Sequence, residues 1–310
     1  MLFLPFKLDS EIRMLPVFTL LTCIICIVVY WNQYTQDEAF YDSVMSFCYE
    51  ELDEKSILFL RDVANVSEGN LCYEIFDSIR QADDPNQRMA ELVQGAKPIG
   101  LFPTEQDEYN YYLGRLDSLY RIYDRKVSEN LTNKLVYDPK EYDLVRMVTS
   151  TFSHGDVFHL AGNLIFFFVF AASIELIMGS IGYLLFIGAA TIGTSLAYSH
   201  SVAGLENALP TLGLSGVVMA AVACLGVMLP RAKIRCLFWF LIIIRIIRLP
   251  AFILAIWYIG WDVYNMNQLG DNSNINYVAH VSGAVVGLIF GIFYRFKKTA
   301  RIARASENTM

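Results

Sequence analysis

Four residues in otherwise apolar stretches could do chemistry. Ser215 stands in "LGLSGVVMA" (212–220) with Gly213 just ahead of it, His280 in "YVAHVSGAVVG" (277–287), and His159 and Asn163 in "HGDVFHLAGNLIFFF" (154–168). A serine hydroxyl is a poor nucleophile until a base takes its proton, which a neutral imidazole can do near pH 7. Acyl transfer also needs donors for the oxyanion. His159 and Asn163 are spaced i, i+4 and share a helix face, one offering a ring N–H and the other an amide. Each residue also has a plainer explanation. A serine between Gly213 and Gly216 lets two helices approach, and a His–Asn pair in a membrane is often a helix–helix hydrogen bond worth ~0.6–2 kcal/mol. His280 taken alone is as well explained as a satisfied core histidine. Chemistry is favoured because three separate apolar stretches each place polar groups near one end, at matching depth. The desolvation of such groups must be offset by something.

The elements that position these residues are membrane spans. The chain has 310 residues, 55% hydrophobic and 18% charged, with mean hydropathy +0.39, which excludes an ordinary soluble domain. A span needs ~20 apolar residues. Six are predicted, at about 15–31, 157–177, 180–199, 212–229, 249–264 and 275–294. The first is read as a retained anchor, since no small-residue cleavage site follows it. The fifth is started after Arg245 and Arg248 because mid-membrane arginine costs ~2.5–3.5 kcal/mol. Residues 234–247 are then expected along the membrane interface. The fold class expected is an all-α polytopic bundle of six transmembrane helices. Gly283 and Gly287 lie on the His280 side of the last span and allow it to sit tightly against a neighbour. If that neighbour is the span beginning near Ser215 and Gly216, serine and histidine meet.

Charge sets the orientation. Arg231, Lys233, Arg235, Arg245 and Arg248 in one connection, and Arg295, Lys297, Lys298, Arg301 and Arg304 in the tail, predict a cytoplasmic face carrying both termini. The 32–145 segment, 200–211 and 265–274 then lie on the outer face. Residues 32–145 hold 23 acidic against 11 basic residues, a net of −12, and their three- and four-residue apolar spacing predicts a helical soluble insert. Cys48 and Cys72 fall within it; a disulfide and two buried free thiols are both open readings. Domain boundaries follow at 1–31 (N-terminus and first span), 32–145 (insert), 146–296 (membrane core) and 297–310 (basic tail). No metal and no other cofactor are expected, because the outer-facing histidines lack a carboxylate or cysteine at ligand spacing. Transmembrane proteins and lipid are the expected partners, with no nucleic acid; oligomeric state is left open. A transporter would show repeats or paired intramembrane acids. The spans hold Glu175 and little else acidic, and Glu175 is read as structural.

Over 144–294 the sequence resembles the rhomboid family of intramembrane serine proteases. The His-xxx-Asn pair at 159 and 163, "GLSG" at 213–216 and "AHVSGAVVG" at 279–287 stand in the family's order and spacing. The resemblance implies a six-helix core and a Ser–His dyad. Ser215 is then the nucleophile and His280 the base and later the acid for the leaving amine. His159, Asn163 and the Gly213–Ser215 backbone would form the oxyanion site, with Gly216, Gly283 and Gly287 packing around it. It also implies that His154 supports the entry to the second helix and that the fifth helix gates substrate entry. The expected activity is endopeptidase cleavage of single-span membrane proteins near the outer end of their helix. The polar run 199–211 is expected to cover the site as a lid. Two departures stand out. The link between the first two spans is longer than the family's and has no tryptophan. Met219 occupies a place where some members carry a tyrosine, so His280 is expected to be oriented by Met219 and helix packing. The alternative is an inactive rhomboid-like protein that binds membrane clients. The expected location is a bacterial inner membrane.

Overall fold

The computed structural model describes residues 2–8, 15–64, 71–98, 100–205, 208–240, 243–269, 273 and 275–307. The chain divides into two compact units, 34–131 and 1–33 together with 132–310.

The first of these, within the predicted insert, is helical. It takes the C-terminal end of α1 (Val17–Met45), a π turn over Ser46–Glu51, α2 (Glu54–Ala64), α3 (Leu71–Arg80), α4 (Pro85–Gln94) and α5 (Glu105–Lys126). Apolar residues at helical spacing close its core around Phe47, Leu60, Phe76, Ile79, Leu116 and Tyr123, all nearly inaccessible. Asp84 caps α4 by accepting from the Asn86 and Gln87 amides, and Thr104 caps α5. Cys48 and Cys72 are joined in a disulfide, which resolves the choice the sequence left open.

The second unit holds helices at every stretch predicted as a span. These are α1, α8 (Val157–Ser201), α9 (Ser215–Met228), α10 (Ala251–Leu269) and α11 (Tyr277–Glu307), with the short α6 (Leu131–Leu135) and α7 (Leu144–Phe152) between α5 and α8. The long α8 covers two predicted spans, because Gly179 breaks it with φ +72°. A glycine bears this left-handed conformation without strain. Among the described residues three helices are long and apolar enough to cross a membrane, Val17–Glu51, Val157–Ser201 and Tyr277–Lys297; Ser215–Met228 is apolar but shorter. Glu175 serves as the structural acid expected: its carboxylate accepts from the Phe18 and Thr19 amides at 2.9 and 2.8 Å and from the Thr19 hydroxyl at 2.7 Å. A carboxylate at the start of α1 satisfies orphan N–H groups and complements the helix dipole.

One region departs from the all-helical expectation. Residues 234–247 are expected along the interface, but 234–240 and 243–247 belong to a sheet of three antiparallel strands in the order β1 (Leu2–Leu8), β2 (Lys233–Phe240), β3 (Ile243–Pro250); 241–242 lie outside the described residues. The register sets Leu8, Ile234 and Leu249 side by side. The physical reason is composition: "KIRCLFWF" and "IIRIIRLP" are rich in β-branched and aromatic residues, which suit a strand better than a helix.

Candidate active site

The serine turn is built from backbone ties. Thr211 exchanges both amide bonds with Tyr137, and the Gly213 amide donates to the Ser150 carbonyl of α7 at 2.8 Å. Gly213 has φ +119°, where a side chain would be strained, and a Cβ there would also sit 2.8 Å from the His159 ring. Leu214 is fully buried and brings no side-chain cap, so Ser215 opens α9 with the helix's first N–H groups uncapped by any side chain. Ser215 itself is half-buried, and its hydroxyl makes no hydrogen bond among the described residues. In resting enzymes the bond to the base is often loose.

The first turns of α8 supply the donors. Asp156 caps the helix by accepting from the Phe158 and His159 amides at 2.8 and 2.9 Å. The missing Gly213 Cβ would lie 2.9 Å from His159 Nε2 and 3.7 Å from Asn163 Nδ2, so both side chains meet the serine turn. Asn163 Nδ2 is buried with no hydrogen-bond partner among the described residues. Leaving a buried donor unpaired costs about 1–3 kcal/mol, a cost that fits a group kept for charge that forms only during reaction. We expect Asn163→Ala to lower kcat by ~10²–10³, as removal of one oxyanion donor does, while raising thermal stability slightly or leaving it unchanged. Kinetics and a thermal melt on the purified variant check both halves.

His154 stands before α8, outside the spans. Its ring packs edge-on to His159 at 5.2 Å, its amide donates to Gln33 Oε1, and its Nδ1 lies 3.2 Å from the Phe152 carbonyl oxygen. Burial first, and then the neighbouring His159, push the His154 imidazole from the usual 6.5 down to about 4. The unfolded chain therefore takes up this proton first as pH falls. The stability tied to neutral His154 is complete above 6.5 and is lost as pH falls through about 4. Thermal midpoints of the full chain in detergent should fall across that window, and His154→Gln should flatten the slope. Identical slopes would contradict the assignment.

His280 enters from the first turn of α11. Asn276 caps that helix, accepting the Ala279 amide through Oδ1 at 2.9 Å, and its Nδ2 donates to Thr211 Oγ1 at 3.1 Å. One residue thereby ties the start of the histidine helix to the serine turn. Deeper in, α9 and α11 touch backbone to backbone. A Cβ on Gly283 would fall 2.1 Å from the Gly216 carbonyl oxygen, and one on Gly287 2.1 Å from that of Ala220. A Cβ on Gly216 would lie 3.2 Å from the Ala279 carbonyl oxygen, which puts the neighbours of Ser215 and His280 in contact. The orienting partner of His280 is one the sequence reading overlooked. Asp262 Oδ2 of α10 lies 2.9 Å from His280 Nδ1, with both side chains mostly buried. The expectation that Met219 and packing orient the ring is therefore corrected. The signal was present: Asp262 is the sole charged residue of α10, and an acid in an apolar run warrants a partner.

Ser215, His280, Asp262, His159, Asn163 and Gly213 line one cavity of about 1170 Å³. Val202, Leu205, Leu209 and Pro210 add to its wall, so the 199–211 stretch does border the site; 206–207 lie outside the described residues. No cluster of metal-binding side chains occurs among the described residues.

Comparison with known proteins bears on the family of the chain. The family model for the Rhomboid domain matches residues 141–297. Presenilin-associated rhomboid-like protein, mitochondrial, of Bos taurus is 27% identical over 189 residues, 59% of this chain and 44% of that protein. RHOMBOID-like protein 12, mitochondrial, of Arabidopsis thaliana is 28% identical over 185 residues, 55% of this chain and 52% of that protein. Rhomboid protein 1, mitochondrial, of Saccharomyces cerevisiae is 25% identical over 206 residues, 64% of this chain and 57% of that protein. The chain thus spans about half the length of these relatives. Their mitochondrial, eukaryotic origin overturns the expectation of a bacterial inner membrane. The charge argument behind that expectation distinguishes the two faces of a membrane, not one membrane from another. With the family's domain covering half of its length and the serine, histidine and asparagine motifs gathered at one cavity, this chain belongs to the rhomboid family.

Proposed function

We propose that this chain is an intramembrane serine endopeptidase that cuts single-span membrane proteins near one end of their transmembrane helix. The observation that carries the reading is the convergence of Ser215, His280, His159 and Asn163 on one cavity. His280 Nε2 takes the Ser215 proton as the oxygen attacks the scissile carbonyl. The Asn163 amide, the His159 ring and the Ser215 backbone N–H receive the oxyanion. His280 then protonates the leaving amine, and water resolves the acyl-enzyme by the same steps reversed.

Depth supports the reading. At ~1.5 Å per residue the 14 residues of α9 rise ~21 Å, short of ~30 Å of hydrocarbon. If its basic end at Pro230 and Arg231 sits at one boundary, Ser215 lies sunk below the other, where a cavity must admit water. A substrate helix has to unwind there before its amides are reachable, so helix-breaking residues in the substrate favour cleavage. In this proposal six spans are formed by α1, the two halves of α8, α9, α10 and α11. Residues 146–296 are the catalytic core, and the membrane is mitochondrial.

The test is cleavage of a single-span reporter by the full chain in proteoliposomes, with Ser215→Ala as the comparison and a fluorophosphonate label read in parallel. Cleavage and labelling that both require Ser215 and His280 support the enzyme. Binding of the reporter without cleavage by wild type would instead favour a client-binding protein.

A further inference from the structure

We propose that Asp262 is a positioning residue for the reaction, making the site a serine–histidine–aspartate relay assembled from three helices. This rests on the reading that Ser215 and His280 act as nucleophile and base. Its own basis is the 2.9 Å contact between Asp262 Oδ2 and His280 Nδ1.

The protonation logic is direct. A neutral imidazole carries one N–H, and the nitrogen beside a carboxylate is the one that keeps it. With Nδ1–H donating to Asp262, Nε2 is left with its lone pair, as proton transfer from Ser215 requires. When that proton arrives the ring becomes a cation, and the carboxylate stabilises it without taking the proton itself. The side chains are 14% and 13% exposed, so water screens the pair weakly. No basic residue stands on α10, which leaves His280 as the group that offsets burial of the acid. The other groups facing His280 are His159 from α8, within electrostatic reach, and the Tyr277 ring, edge-on at 6.1 Å. Neither can accept an Nδ1 proton as a carboxylate does. A purely structural tie between α10 and α11 would explain the contact, but it gives no reason for the bond to fall on the ring nitrogen that sets the tautomer.

The experiment uses the full chain in proteoliposomes with a single-span reporter. Asp262→Asn, nearly isosteric, should lower kcat by ~10² or more with KM within about twofold, since its amide favours the wrong tautomer. Asp262→Glu should recover part of the rate. A kcat within twofold of wild type, or a loss with no recovery by glutamate, overturns the proposal. An activity-independent readout comes from ¹⁵N-histidine NMR of the resting wild type, tractable with four histidines. A dominant Nδ1–H tautomer at His280 is expected; a dominant Nε2–H tautomer overturns the relay even if Asp262→Asn fails to fold. Ser215→Ala is run alongside. Cleavage that survives it sinks the protease reading itself, whereas abolished cleavage with normal Asp262→Asn kinetics sinks the relay alone.

Discussion

Ser215→Ala is expected to reduce reporter cleavage by ~10⁴-fold or more, with its thermal midpoint unchanged. The two halves of this result have separate causes. The hydroxyl is the bond-forming atom, so nothing replaces it. It also makes no hydrogen bond among the described residues and is only half-buried, so its loss leaves none of them without a partner. His280→Ala should match it in rate but not in stability. It leaves the Asp262 carboxylate buried without its imidazole, at about 1–3 kcal/mol. The double variant should be no slower than either single one, because a nucleophile and its base act as a unit. Rates that multiply, or a serine variant that still cleaves, would show that the two do not share one proton.

Gly287→Ala is expected to be the most damaging change away from the reacting atoms. A methyl there would lie 2.1 Å from the Ala220 carbonyl oxygen and under 3 Å from two further atoms of that backbone. Backbone cannot rotate away as a side chain can, so α9 and α11 must part. Overpacking of this kind costs about 3 kcal/mol, and here it also separates the helices that carry Ser215 and His280. Activity should therefore fall further than the melt alone explains. Gly283→Ala should behave alike, against the Gly216 carbonyl oxygen. Gly291→Ala, whose nearest contacts are 3.0 Å, should be milder, and Gly188→Ala, which meets nothing within 4 Å, should be silent. Melts and kinetics on the four variants check the order; an order unrelated to these contacts would contradict the packing account.

Much of the site was legible because its parts are local. His159 and Asn163 share a face through i, i+4 spacing, and the glycines at 283 and 287 mark a surface that another helix can approach closely. Hydrophobic run length located the starts of the helices from 157 onward to within about three residues, though α11 runs on well past the predicted end of its span. The sheet was not legible in the same way. Its β1 strand pairs with residues more than two hundred positions away, and the arginines at 245 and 248 could be placed at an interface without invoking strands. Asp262 was visible as an acid in an apolar stretch, yet its partner depends on the rotation of α10 against α11.

Taken alone, the order of residues determined which groups are chemically able, which stretches must leave water, and which helix faces can touch. Those are properties of single residues and short periods, set by side-chain chemistry and helical pitch. Tertiary structure alone decided that Asn276 ties the histidine helix to the serine turn, that Asn163 Nδ2 finds no partner among the described residues, and that Asp262 meets Nδ1 of His280. The reason is that a hydrogen bond between helices depends on their mutual rotation and depth to within an ångström. Packing such as the Gly216–Gly283 contact sets that alignment, and no local spacing encodes it.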